Sequence, residues 1–309
     1  MMGDGLLVLS RFALYVGLML TFGVPVFVLQ IRGGNVLVSP ALRRATRVAN
    51  VATIIGLLAS MTALWAMAEA MSPSSDTGAV GSVVRMLLTQ TAVGIAWDLR
   101  VALLGICLWL GLSAGVHARI RVAAHAVTAA MALATLAWAG HGAMNDGAIG
   151  WLHLGADMAH LWVAGAWVGA LVSLALIAGS ASRHADREGA ALLSSAATGF
   201  ARMGTLIVAV LLVSGTINYI LTVGLTLSGL IDSLYGRLLL LKLGLFSIML
   251  ALAAANRFRL APALEKAMHD VDVGDAVVAL KHSLYLETGL AVCILGLVAW
   301  LGTLNPGGG

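Results

Sequence analysis

Long, uninterrupted apolar runs constrain this chain more than any motif in it. Read against the Gly, Pro and charged residues that break them, the runs fall at about 5–30, 48–71, 95–116, 122–140, 151–178, 203–227, 236–256 and 283–304. A helix needs about 20 predominantly apolar residues to cross the hydrocarbon core of a bilayer, and each run is of that order. Only helices and closed barrels satisfy every backbone group within a membrane. Barrel strands would show as segments of about ten residues with alternating polarity, and these runs are too long and too uniform for that. The expected fold class is therefore all-α, a polytopic membrane helical bundle with about eight transmembrane helices. Composition agrees, with 60% hydrophobic and 10% charged residues, where a soluble domain carries about 25% charged.

The segment preceding the first run, Met1 to Gly5, contains an Asp and no basic residue. It lacks the positive region of a signal peptide, so the first run is expected to be a true span. The segment 79–93, AVGSVVRMLLTQTAV, is shorter and amphipathic, and it reads as an interfacial helix. With no internal repeat and no separating linker, residues 1–309 are expected to form a single membrane domain.

Lys and Arg placement gives the orientation. One set of loops holds Arg32, Arg43, Arg44, Arg47, Arg119, Arg121, Arg183, Arg187, Arg202, Arg257, Arg259, Lys266 and Lys281. The opposite set holds Arg85, Arg100 and Arg237, while Arg11 and Lys242 fall inside spans. The basic-rich side is expected to be cytoplasmic and both termini periplasmic. Trp65, Trp97, Trp138, Trp151 and Trp300 fall toward the outer ends of their spans, as interfacial tryptophans do. The sequence pI near 9.4 reflects this scatter of loop charges. No basic arm or patch is formed, so nucleic acid is not an expected partner; the lipid bilayer is. The pairs Gly111/Gly115 and Gly165/Gly169 are spaced for close helix approach.

Ionisable residues inside spans are costly and usually face the bundle interior or a wet cavity. In the expected topology Arg11, Glu69, Asp98, Arg100, His141, His153, Asp157, His160, Asn218 and Lys242 share the outer half, which implies a polar cavity opening outward. Only His125 and Glu287 lie toward the inner face, where Glu287 is expected to pair with Lys281 or a neighbouring helix. Asp98 and Arg100 read as an interfacial pair that fixes helix depth. Lys242 either snorkels outward or pairs with Asp157, Asp98 or Glu69.

The densest stretch is AGHGAMNDGAIGWLHLGADMAHLW. His153, Asp157 and His160 follow an i, i+4, i+7 spacing, which places them within roughly 60° on one helix face. His141 closes the preceding run and could fold over the same place. A single intramembrane histidine is ordinarily a hydrogen-bonded packing residue. Three such groups on one stripe, with His141 nearby, are a reasonable metal constellation. Imidazole suits Cu, Zn, Fe and Ni, and thioethers tilt the choice toward Cu(I). Met67, Met71, Met144 and Met158 are candidate accessory ligands, although most methionines in so apolar a chain are core filling. Asp157 could bind metal directly or orient a histidine. Cys107 and Cys293 offer no disulfide framework or zinc spacing and read as small buried hydrophobes.

At these residues the sequence resembles the copper resistance protein D (CopD/PcoD) family of bacterial inner-membrane proteins. The resemblance is carried by AGHGAMNDGAIGWLHLGADMAHLWVAGAWVGAL, FARMGTLIVAVLLVSGTINYILTVG, YGRLLLLKLGLFSIMLALAAANRFRLAPAL and HSLYLETGLAVCILGLVAWLGTLNP, in that order. It implies a multi-pass inner-membrane protein that moves or handles copper, often beside a small periplasmic partner of the CopC type, which is not fused here. The family's histidine at the end of the fourth span falls on His141, and the Leu-His that opens the fifth falls on Leu152-His153. Its Trp-x-Gly matches Trp167-Val168-Gly169, and its Tyr-Gly-Arg matches Tyr235-Gly236-Arg237, with Lys242 following. Asp157 and His160 enter from spacing alone.

Three functions compete. The favoured one is a copper-binding permease, not an enzyme, that takes Cu(I) or Cu(II) from the periplasmic side through His141, His153 and His160. The second is a redox protein that passes electrons from quinol, using histidines that ligate b-type haem or using copper itself. The third is a copper-delivery or assembly factor without net transport. There is no P-loop or phosphorylation motif, and no sequence feature fixes the oligomeric state. An inner half with only Cys107, Cys293, His125 and Glu287 as polar waypoints shows no evident exit.

Overall fold

The computed structural model describes residues 2–31, 39–72, 76–113, 118–139, 147–184, 187–224, 233–268 and 273–304. These form α1 (Met2–Gln30), α2 (Pro40–Met71), α3 (Thr77–Gln90), α4 (Ala92–Leu112), α5 (Ala118–Ala134), α6 (Gly147–His184), α7 (Arg187–Val223), α8 (Leu234–Ala255), α9 (Ala261–Ala267) and α10 (Gly274–Leu301). There is no strand among the described residues. Among the described residues, eight helices are long and apolar enough to cross a membrane: α1, α2, α4, α5, α6, α7, α8 with its continuation, and α10. The protein is a polytopic helical membrane protein.

The helices outrun the apolar segments that announce them. α2 starts at Pro40, well before residue 48, because proline at the first helical positions leaves no donor unsatisfied. Arg43, Arg44 and Arg47 then ride on its first turns. α6 and α7 contain 38 and 37 residues, far more than a bilayer crossing requires. α7 stops short of residue 227 because Gly224 adopts φ 86°, a left-handed conformation that ends helices and favours glycine. α5 tightens into a 3-10 turn, Thr135–Ala139. α8 passes into a π-helical turn, Asn256–Leu260, and then into α9.

The short amphipathic segment forms α3. The Asp76 carboxylate accepts from the amides of Gly78 and Ala79 at its start, and Thr91 caps α4 directly after it. At 14 residues α3 is too short to span. Its Val80 and Leu87 pack on Leu64 and Ala68 of α2 as a small separate apolar cluster.

α1 stands at the centre, packed against α2, α5, α6 and α10. Its glycines allow this. A Cβ on Gly17 would meet the backbone of Gly56, and one on Gly23 would collide with the backbones of Gly165 and Gly169. The Gly165/Gly169 spacing is thus the seat of α1 on α6. Gly111 receives the Asn50 side chain, whose Nδ2 donates to its carbonyl at 3.2 Å. The buried hydroxyls of Thr21 and Thr53 return to their own helices and meet each other at 3.2 Å. α7 and α8 stand at the periphery, α7 mainly on α6 and α8 mainly on α10, and cavities open between them.

Candidate functional site

Asp157 and His160 sit on one face of α6, where they meet α7 running antiparallel. Asn218 Nδ2 donates to Asp157 Oδ1 at 3.3 Å. One turn deeper, His160 Nδ1 lies 3.0 Å from Ser214 Oγ. Ser214 and Asn218 are themselves four apart, so two rungs join the helices.

The Ser214 hydroxyl fixes the state of the imidazole. A serine has one proton to donate, and Ser214 Oγ donates it to the Val210 carbonyl at 2.6 Å. With that proton directed at Val210 the oxygen is free to accept from His160, an arrangement that would put the imidazole proton on Nδ1 and leave the lone pair on Nε2. A neutral imidazole held by a hydrogen bond through its other nitrogen is the form that binds metals.

His160 lines a cavity of about 390 Å³ bounded by α6, α7, α8 and α10. Lys242, Tyr219 and Thr216 supply its other polar groups, and Trp167, Leu171, Phe246 and Leu295 are among its apolar lining. Lys242 is half-buried on α8 and close enough to act electrostatically on both Asp157 and His160. Of the carboxylates considered as partners, Asp157 is the one on which Lys242 acts electrostatically. Asn218 Oδ1 is buried with no hydrogen-bond partner among the described residues.

The other sequence-derived candidates lie elsewhere. His153, one turn before Asp157, is 2% exposed and does not line this cavity. His141 and Met144 lie outside the described residues. Among those described, no three His, Cys, Asp or Glu side chains come together as a metal cluster. Met67 packs in the α2–α3 apolar cluster, Met71 is exposed, and Met158 packs against the main core.

The expected cavity shared by most helices is also divided. Arg11, Glu69, Asp98 and Arg100 do not line the His160 cavity. Arg11 reaches the Tyr15 hydroxyl at 3.5 Å and lies against Gly302, which caps the C-terminal end of α10, where a cation is favourable. Arg100 is buried, and it donates from Nε to Thr135 Oγ1 at 2.8 Å and from Nη2 to the Thr135 carbonyl at 3.4 Å. It thereby anchors the 3-10 turn of the fourth span, while Asp98 is exposed. The two are not a depth-fixing pair. Glu69 is half-buried near the end of α2.

Toward the other end of the bundle, Cys107 Sγ lies 3.9 Å from the His125 carbonyl, and His125 Nε2 is buried without a partner among the described residues. Glu287 is fully buried and accepts from Asn256 Nδ2. It does not pair with Lys281, which donates to Ser182 Oγ at 3.0 Å. Ser214, Phe246 and Asn256 escaped the sequence reading. Asn256 carried the one available signal, an amide at the junction between an apolar run and the basic Arg257-Phe258-Arg259.

Two family models match this chain. One described as the N-terminal domain of copper resistance protein D-like proteins covers residues 2–151, and one described as copper resistance protein D covers residues 194–301. The chain is 41% identical to copper resistance protein D of Pseudomonas syringae pv. tomato over 316 residues, covering 99% of this chain and 98% of that protein. It is 30% identical to inner membrane protein YebZ of Escherichia coli (strain K12) over 175 residues, 55% of each chain. No solved structure matches it. With agreement along nearly its whole length, the chain belongs to the copper resistance protein D family.

Proposed function

We propose that this protein binds copper at His160 and carries it across the bacterial inner membrane from the periplasmic side. The observation that supports the reading is the imidazole itself. Ser214 holds its proton on Nδ1, and Nε2 is left to coordinate on a helix face that lines a cavity. Asp157, four residues beyond His153 on the same stripe, adds a carboxylate. His141, which lies outside the described residues, completes the proposed ligand set, with His160 as its anchor. Imidazole with carboxylate accommodates Cu(II). With eight crossings both ends would fall on one side of the membrane, and the loop charges favour the periplasmic side. A soluble copper-binding partner of the CopC type would deliver the ion there.

A haem reading would need two axial ligands on facing helices. Among the described residues the polar side chains that act on His160 are Ser214 and Lys242, and neither is a histidine.

The test is equilibrium loading of detergent-purified protein with copper, desalting, and elemental analysis. The wild type should retain copper and no iron. His160→Ala, alone or with His153→Ala, should lose one equivalent. Unchanged stoichiometry in folded variants would reject His160 as a ligand, and iron without copper would reject the copper reading.

A further inference from the structure

The His160 cavity ends on an aromatic floor. Trp167 of α6 and Phe246 of α8 meet edge-on, with ring centroids 6.0 Å apart and planes at 69°. Trp167 and Leu171, one turn apart, line this cavity and also a second one of about 470 Å³. The second cavity lies between the same helices toward the opposite end of the bundle, and Asn256, Arg257 and Glu287 line it. The two chambers adjoin, with Trp167, Leu171 and Leu212 lining both and Phe246 on the His160 side.

The second chamber is mostly apolar, and its polar lining consists of Thr205, Asn256, Arg257 and Glu287. Glu287 is 2% exposed, and no Lys, Arg or His pairs with it among the described residues. Lys281 is held by Ser182, and the exposed Arg257 donates to the Ala201 carbonyl and the Thr205 hydroxyl of α7. The partner of Glu287 is Asn256, the first residue of the π-helical turn, a distortion frequent at functional positions. Asn256 Oδ1 and Ser283 Oγ are both buried without hydrogen-bond partners among the described residues. Ser283 precedes Glu287 by four residues, on the same face of α10. Carboxylate and amide oxygens thus line one side of the cavity, with the Ser283 hydroxyl on the same helix face as Glu287 and no sulfur or imidazole among them. An intramembrane carboxylate that lacks a counter-charge ordinarily marks an ion pathway, and this donor set suits an oxygen-preferring divalent ion over a soft monovalent one.

We propose that the Glu287–Asn256 chamber is a second, oxygen-donor station for the transported cation, closed off from the His160 station by the Trp167–Phe246 pair. This rests on the copper-transport reading above and supplies the inward half of its path. Copper crosses as Cu(II), bound first by imidazole and then by carboxylate.

The experiment uses the full-length protein with Cu(II) as the only probe, in two readouts. In equilibrium binding the wild type takes two equivalents, Glu287→Gln one, His160→Ala one, and the double variant none. In proteoliposomes with an entrapped copper-quenched fluorophore, Glu287→Gln lowers the initial rate at least ten-fold, and Glu287→Asp recovers part of it. Two equivalents retained by folded Glu287→Gln, or a wild-type rate, would overturn the second station. Should Glu287→Gln fail to elute as a single species, Asn256→Ala carries the same test. Loss of an equivalent and of rate there supports the station, and wild-type behaviour overturns it. Failure of the copper reading itself looks different, because the wild type then binds no copper and gives no flux.

Discussion

A hydroxyl proton sets the chemistry of His160. With its proton directed at Val210, Ser214 accepts from the imidazole, and in that arrangement the orientation of the ring and its tautomer share one cause. Ser214→Ala should leave the fold intact but weaken copper binding about 10-fold, the lower end of what such supporting contacts contribute. A competition titration against a copper chelator reads this directly, and unchanged affinity would mean that Ser214 does not orient the ligand. Arg100 makes the converse case, a charge whose task is structural. Arg100→Met should lower stability by about 1–3 kcal/mol, as expected when buried hydrogen bonds to Thr135 are lost, with copper stoichiometry unchanged. The thermal midpoint and the bound metal, measured on the same sample, separate the two effects. Of these side chains, the His153–Asp157–His160 stripe was legible because helix periodicity alone aligns it. Ser214 was not, since a serine in an apolar run reads as one more side chain bonded to its own helix. Its second partner depends on how α7 registers against α6. Asp98 and Arg100 misled for a related reason: two residues apart on a helix, they point in different directions.

Among the elements, close approach is set by missing side chains. Gly23 of α1 lies against Gly165 and Gly169 of α6 with no room for a methyl group, and small residues are what let membrane helices pack through backbone contact. Gly23→Val should cost at least about 1–3 kcal/mol, the range for overpacked cores. It should appear as a lower apparent melting temperature and a broadened gel-filtration peak. The apolar runs located all eight spans because the bilayer imposes their length. They misplaced the ends because those answer to local chemistry. Pro40 starts α2 early, Gly224 stops α7, and the Arg-rich turns of α2 continue the helix beyond the apolar part. The π turn at Asn256 leaves no mark in hydropathy, and so the inner chamber stayed out of sight. Its wall residue Glu287 was visible, but not its partner.

For the whole molecule, orientation is the property most open to direct test. Reporter fusions at the C-terminal end should give alkaline phosphatase activity and no green fluorescence, because only the former matures in the periplasm. A fluorescent, phosphatase-inactive pair would reverse the proposed direction of transport. The central position of α1 bears on how such a protein is made. α1 contacts α2, α5, α6 and α10, and Arg11 rests against Gly302 at the far end of the chain. α1 is made before every helix that packs on it and is completely surrounded only once α10 has been made. Throughout synthesis its polar face, Arg11 included, waits in the membrane for a neighbour translated nearly 300 residues later. A nascent chain stalled before α10 presents that unshielded arginine to membrane quality-control proteases.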